Sequence, residues 1–277
     1  MLAEICNSVH LDKEVISFRE IHQRFSLTTG GEKLKKNVRW SAFQPLSVSN
    51  SEHQRPFGAD ANNLEHCRLI YGLTRWAIQI QNSSSYPTKF NLDDQEILDL
   101  AGLTHDYPEG LTEKGDVNFK VKTKQDEQNE LKLVIPIITG LIGDSYEALE
   151  LAKQVKNCLG DTSSRLGRFF NSIENIGYLR AALIVWPQID TINHRHMSRS
   201  FKLINHDVLS NNIPSLISYS KDYYPVYKYL SDRKQIITQI FNTPESYFYG
   251  HLNTDQSSSD NFHFAKELWG LWSQKSE

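Results

Sequence analysis

Two His-Asp dipeptides stand in this chain, His105-Asp106 and His206-Asp207, and an imidazole beside a carboxylate can hold a transition metal. The dipeptide alone carries little weight, because ten histidines in 277 residues give about half of one such pair by chance. Context separates the two. His105-Asp106 closes an apolar stretch and runs into Tyr107, Pro108 and Glu109, whereas His206-Asp207 runs into Val208, Leu209, Ser210 and Asn211 and reads as a polar patch of surface. Upstream, Glu65-His66 opens another amphipathic stretch and offers a third ligand. Imidazole nitrogen with carboxylate oxygen suits Mn, Fe, Co, Ni or Zn. Adjacent residues diverge by about 100° around a helix, so His105 and Asp106 can converge on one ion only near a helix end. A second helix must then supply the remaining ligand. The competing pair Glu52-His53 precedes Pro56 and Gly58, which rule out a long helix there, so Glu65-His66 is preferred.

The elements that must position these residues follow from hydrophobic period and end signals. Val15, Ile16, Phe18, Ile21 and Phe25 predict a helix over about 11–25. Ser, Asn, Pro and Gly make 41–63 a long irregular connection. Asn63 caps a helix whose stripe is Cys67, Ile70, Tyr71, Leu73, Trp76, Ala77 and Ile80. Asp93, with Glu96 as a capping-box partner, opens the helix that carries Ile97, Leu98, Ala101 and Leu103 into His105; Pro108 and Gly110 end it. A polar loop over 115–129 follows, then helices near 130–141, 145–159 and 164–184, and shorter helices from Ser200 onward. Strand signals are sparse, and the fold class is all-α, a helical bundle.

With its surroundings, the first dipeptide resembles a known family. The run His105-Asp106-Tyr107-Pro108-Glu109-Gly110-Leu111-Thr112, then Asp116, looks like the central motif of HD-domain metal-dependent phosphohydrolases, nearest the 5'-deoxynucleotidases. Glu65-His66 resembles that family's first ligand, and Arg39-Trp40 its Arg-Trp pair for phosphate and nucleoside. The likeness covers roughly 36–183. It implies a divalent metal (Mn, Co, Mg, Fe, Ni or Zn) on His66, His105 and Asp106, with Glu109 positioning water or giving a proton and Asp116 orienting the nucleophile. Arg39 would hold phosphate and Trp40 would stack on base or sugar. The family's last ligand is an aspartate on a later helix. Here Glu174 occupies the matching stretch, one methylene longer, and Asp190, beyond Pro187, is the alternative. The implied organisation is an N-terminal helical extension (1–35), an HD core (36–199) and a C-terminal helical extension (200–277). The implied function is phosphate release from a nucleotide by metal-activated water, with a small phosphorylated molecule as partner.

Composition narrows the field. Hydrophobic residues make up 39% and charged residues 23%, with a net charge of -3, so no basic footprint for polymeric nucleic acid is present. No apolar run nears the roughly 20 residues of a membrane span, and no leader pattern is visible; a cytoplasmic protein is expected. Cys6, Cys67 and Cys158 have no CxxC spacing and suggest neither a disulfide framework nor a thiolate zinc site. Gly30-Gly31 lacks the spacing of a phosphate loop, His194 and His196 would face different sides of a helix, and the tyrosines of 219–229 read as packing. Lys33, Lys35 and Lys36 read as a solvated face. Three alternatives stay open: an HD hydrolase for another phosphoester, a two-iron redox relative, and a non-catalytic scaffold that keeps the motif. Homo-oligomerisation is open as well.

Overall fold

The computed structural model describes residues 8–11, 14–112, 122–249 and 256–275. It begins with an antiparallel hairpin, β1 (Ser8–Leu11) and β2 (Glu14–Ser17), with Ser8 opposite Ser17. The helices follow in order: α1 Phe18–Ser26, α2 Thr29–Lys36, α3 Asn50–Gln54, α4 Asn63–Ser83, α5 Leu92–Thr104, α6 Tyr107–Leu111 and α7 Lys124–Ile142. Next come α8 Tyr146–Gly160, α9 Arg165–Val185, α10 Arg195–Tyr219, α11 Tyr224–Asp232, α12 Lys234–Asn242, α13 Glu245–Tyr249 and α14 Gln256–Lys275. Three 3-10 segments add Ser41–Phe43, Arg55–Asp60 and Trp186–Thr191. The all-α class holds, with the hairpin as its only sheet among the described residues. No described helix is long and apolar enough to cross a membrane.

The chain forms two compact units. The first takes residues 1–39, 62–79 and 89–171; the second takes 40–61, 80–88 and 172–277. In the first unit the helix expected over 11–25 starts only at Phe18, because Ser17 caps it through the Glu20 amide (3.1 Å) and Glu14–Ser17 pairs as a strand. The β-branched pair Val15-Ile16 favours that extended backbone. α1 then buries Phe18, Ile21 and Phe25. The middle of the unit is α5, buried around most of its circumference from Ile97 to Thr104, as an apolar helix packed on several sides must be. Its cap is Asn91, not Asp93: Asn91 and Asp94 exchange side-chain-to-amide bonds of 2.8 and 3.1 Å. α5 approaches α4 closely at Gly102, where a Cβ would lie 2.8 Å from Thr74 Oγ1. The longer helices α7 and α8 bury Val134, Ile138 and Leu141 and Ala152, Val155 and Cys158 respectively.

In the second unit the expected irregular connection is instead short helical turns, with Ser49 and Glu52 forming a capping box on α3. Its core is carried by α10, whose buried positions include Phe201, Ile204, Leu209, Ile213 and Leu216, together with Phe241, Phe262 and Trp269. His206, expected at the surface, belongs to this core. It is stacked on Phe262 with ring centroids 4.5 Å apart.

Candidate functional site

α4 begins at Asn63 itself, so its cap is Asn62, one residue before the expected one. Asn62 Oδ1 accepts from the Glu65 amide at 3.0 Å, and the Asn62 carbonyl accepts from His66 N at 2.9 Å. His66 therefore sits in the first turn, on the buried side. α5 ends with the His105 amide bonded to the Ala101 carbonyl, and Asp106 follows in a bridging conformation (φ -93°, ψ -4°) before α6 starts. Pro108 lies in the first turn of α6, where its missing amide hydrogen costs nothing, so it opens a helix as well as closing one. That break between two helices is what lets neighbouring residues point to one place.

His66, His105 and Asp106 each offer one donor atom, and these atoms lie within 4.8 Å of one another. No other group of three or more His, Cys, Asp or Glu meets this condition among the described residues. The rings of His66 and His105 stand 5.3 Å apart at 68°, and His105 also meets the edge of Phe170 at 5.9 Å. His105 Nδ1 lies 3.1 Å from the Gly102 carbonyl, which can only accept, so the hydrogen is on Nδ1. A neutral ring then turns its Nε2 lone pair to Asp106 Oδ1 at 3.3 Å. Two lone pairs facing at that distance repel unless a proton or a metal cation lies with them. A backbone carbonyl that fixes the ring and its tautomer is also what a ligating histidine requires. Two nitrogens and one carboxylate oxygen thus fit a first-row divalent ion.

Charge around Asp106 supports an anionic carboxylate. Burial alone would raise its pKa, but neighbouring cations outweigh burial and hold it below the usual range: His105 and His66 in their protonated forms, then Arg39 and Lys122. Arg39 Nη1 stands 3.9 Å from Asp106 Oδ2. Cys67, one residue after His66, is buried, and burial followed by the Asp106 charge pushes its thiol well up, so it is no nucleophile. Tyr107 is fully buried and stacks on Phe25 at 3.7 Å, with its hydroxyl 2.9 Å from His22 Nδ1. That stack anchors the residue next to Asp106. α6 also crosses α2 tightly, since a Cβ at Gly110 would lie 2.5 Å from the Gly30 carbonyl.

Glu109 is buried and already engaged. Its Oε2 accepts from Asn63 Nδ2 at 3.0 Å and its Oε1 from Lys122 Nζ at 2.9 Å, and Lys122 reaches Glu130 Oε2 at 2.7 Å. Burial alone would lower the Lys122 pKa, yet Glu109 and Glu130 push it up; burial raises that of Glu130. Asn63, Lys122 and Glu130 were missed by the sequence reading. Asn63 looked like a helix cap, and once Asn62 takes that task its side chain is released toward Glu109. Lys122 and Glu130 sit 13 and 21 positions beyond Glu109 in an unpatterned polar stretch, which carries no signal.

Asp116 lies outside the described residues. Trp40 has a left-handed backbone (φ 62°) and belongs to the second unit, where its ring meets Phe57 and Tyr178 at 6.3 and 5.9 Å. Glu174 lies on α9 in the second unit and is not a member of the His66–His105–Asp106 group. Asp190 accepts from the Tyr247 hydroxyl at 2.7 Å. His53 is buried between Phe57 and Phe201. No protein-family model, curated protein or solved structure matches this chain.

Proposed function

We propose that this protein is a metal-dependent phosphohydrolase whose centre is His66, His105 and Asp106. The observation that carries the reading is the convergence of these three donors at a helix break, with the His105 tautomer fixed by the Gly102 carbonyl. A divalent ion held there supplies a polarised phosphoryl oxygen and a water acidic near neutral pH. Arg39 offers a planar fork of donors beside Asp106, suited to the oxygens of a phosphate dianion. Glu109, one turn past Asp106 and fixed by Asn63 and Lys122, is placed to hold a proton from the attacking water or return one to the leaving oxygen. The substrate we propose is a phosphate monoester, and the HD-type run from His105 to Thr112 makes nucleoside monophosphates the first candidates.

The test is phosphate release from a panel of nucleoside monophosphates with Mn, Co or Mg, comparing wild type with Asp106→Ala. Metal-dependent release that disappears in the variant is expected. Absence of release from every monophosphate would remove the monoesterase reading. Equal release by both proteins would remove the centre.

A further inference from the structure

α14 is fixed to the second unit along one side. Phe262, Ala265 and Trp269 are buried there, and Phe262 lies stacked on His206. The indoles of Trp269 and Trp272 donate to Thr238 Oγ1 at 2.9 Å and Ser220 Oγ at 3.1 Å. The opposite side carries Phe264 and Leu271, 55% and 60% exposed, with the partly buried Leu268 between them. Single exposed apolar residues are ordinary on a protein surface. These three are not scattered, because residues four and seven apart return to one face of a helix and form the kind of strip that seats against a second helix. Among the described residues of the second unit, Leu46 is the only other large apolar side chain as exposed as these.

Charge says what fits the strip. Asp260 and Lys275, both exposed, stand on the same side of α14 at its two ends, about four turns apart. Asp260 also interacts within its own chain. Laid antiparallel on a copy of itself about the point between Glu267 and Leu268, the helix sets Phe264 against Leu271 of the other copy and Asp260 against its Lys275. Two-fold symmetry makes each contact twice. A parallel pair would instead set Asp260 against Asp260 and Lys275 against Lys275, and facing like charges oppose association. Strip and end charges are thus their own complement in one orientation only. Glu267, exposed on the flank of the strip, meets its own copy in either orientation and is the one repulsive element. We propose that two copies of this chain associate through the outer face of α14, paired antiparallel. A strip about 22 Å long on a helix about 10 Å wide is smaller than the roughly 800 Å² each partner gives to a standard interface, so the dimer dissociates on dilution.

Sedimentation velocity of the full chain over a concentration series tests this. Wild type is expected to pass from monomer to twice that mass as concentration rises. Phe264→Glu/Leu271→Glu should stay monomeric with its far-ultraviolet helix signal intact, since both side chains are exposed. Asp260→Lys and Lys275→Asp should each raise the midpoint concentration about three- to tenfold, and the double reversal Asp260→Lys/Lys275→Asp should bring it back. Glu267→Gln should lower it. A wild type that stays monomeric up to its solubility limit overturns the proposal, and so does a dimer that persists in Phe264→Glu/Leu271→Glu. A double reversal no tighter than the single ones overturns the antiparallel pairing on which the choice of a second copy rests. Should Phe264→Glu/Leu271→Glu lose its helix signal, Glu267→Gln decides: a lowered midpoint supports the pairing, and an unchanged or raised one counts against it.

Discussion

The same dipeptide occurs twice in this chain and the fold gives it two different surroundings. His206 and Asp207 lie inside the 25-residue helix α10, where successive side chains diverge by about 100°, so the histidine enters the core and the aspartate does not follow. Phe262 stacks on the His206 ring and Tyr249 gives it a hydroxyl contact of 2.7 Å. His105 and Asp106 lie at the break between α5 and α6, and there the two side chains converge to 3.3 Å. Convergence of the two side chains follows from where the helix stops, not from the residue pair.

The largest expected effect tests that contrast on activity. On the proposed function, Asp106→Ala should lower metal-dependent phosphate release on the order of 10³-fold or more, since the ion would supply several kcal/mol of charge stabilisation. Asp207→Ala should leave it unchanged. Thermal unfolding with and without Mn gives a second readout: a midpoint that rises with metal in wild type and in Asp207→Ala, and stays put in Asp106→Ala. Equal loss in both aspartate variants would erase the distinction between the two dipeptides.

Stability should show the reverse ranking. His206→Ala empties a site enclosed by Phe248, Tyr249 and Phe262 and is expected to cost about 3 kcal/mol in denaturant unfolding. Metal content per folded molecule should not change. A His206→Ala protein with wild-type stability would show that the ring is not part of the core.

Acidity sharpens the comparison between the two units. Burial is the main cause lowering His206 to about 4, with Glu245 opposing it. The folded value lies below the unfolded one near 6.5, so the unfolded state binds more protons between them. Stability is thus full above about pH 6.5 and is lost as the pH falls toward 4, by up to about 3 kcal/mol. His22 in the first unit, lowered by burial to about 4, acts with the same sign. Asp99, also in the first unit, acts oppositely. Burial pushes it up to about 8, the Arg75 guanidinium at 3.8 Å offsets part of this, and Glu96 adds to it. Its contribution is present below the unfolded value near 4 and is lost as the pH rises through 8. Urea midpoints should therefore rise from pH 4 to about 6.5, where the two histidines outweigh Asp99, and fall from there to about pH 8. His206→Phe should flatten the acid limb in part and Asp99→Asn the alkaline one; an alkaline limb unaltered in Asp99→Asn would exclude this carboxyl as its source.

These features differ in how far the sequence displays them. Apolar stripes revealed α4, α5, α8 and α9 within a few residues, because a 3.6-residue period survives any tertiary arrangement, but α7 starts at Lys124, inside the expected polar loop, where the Thr123 cap and not an apolar stripe sets its first turns. The grouping of His66, His105 and Asp106 was legible too, since these are distinctive residue types at the ends of those stripes. Two kinds of contact were not. His206 looks polar on paper, and only the packing of α13 and α14 against α10 turns it into core. The Glu109–Lys122–Glu130 group joins residues with no spacing rule between them, and hydrogen bonding across a fold leaves no period to read. The strand Glu14–Ser17 was hidden for a third reason: Val15 and Ile16 fit an apolar helical stripe as well as a strand, and the Ser17 cap decided the outcome.

The smallest expected effect separates two adjacent asparagines. Asn62 satisfies the Glu65 amide at the start of α4, and Asn63 next to it serves Glu109. Loss of a cap costs about 1 kcal/mol, so Asn62→Ala should shift the unfolding midpoint modestly while the wild-type metal stoichiometry persists. Asn62→Asp should recover the midpoint, because aspartate caps as well and adds a favourable charge at the helix start. Asn63→Ala removes no cap. It takes away one donor to the buried Glu109 carboxylate, and on the proposed function its cost should appear in turnover more than in helix stability. If Asn62→Ala and Asn63→Ala lowered stability equally and turnover equally, capping and positioning would not be separable at this helix start, and the reason given for the release of Asn63 toward Glu109 would fail.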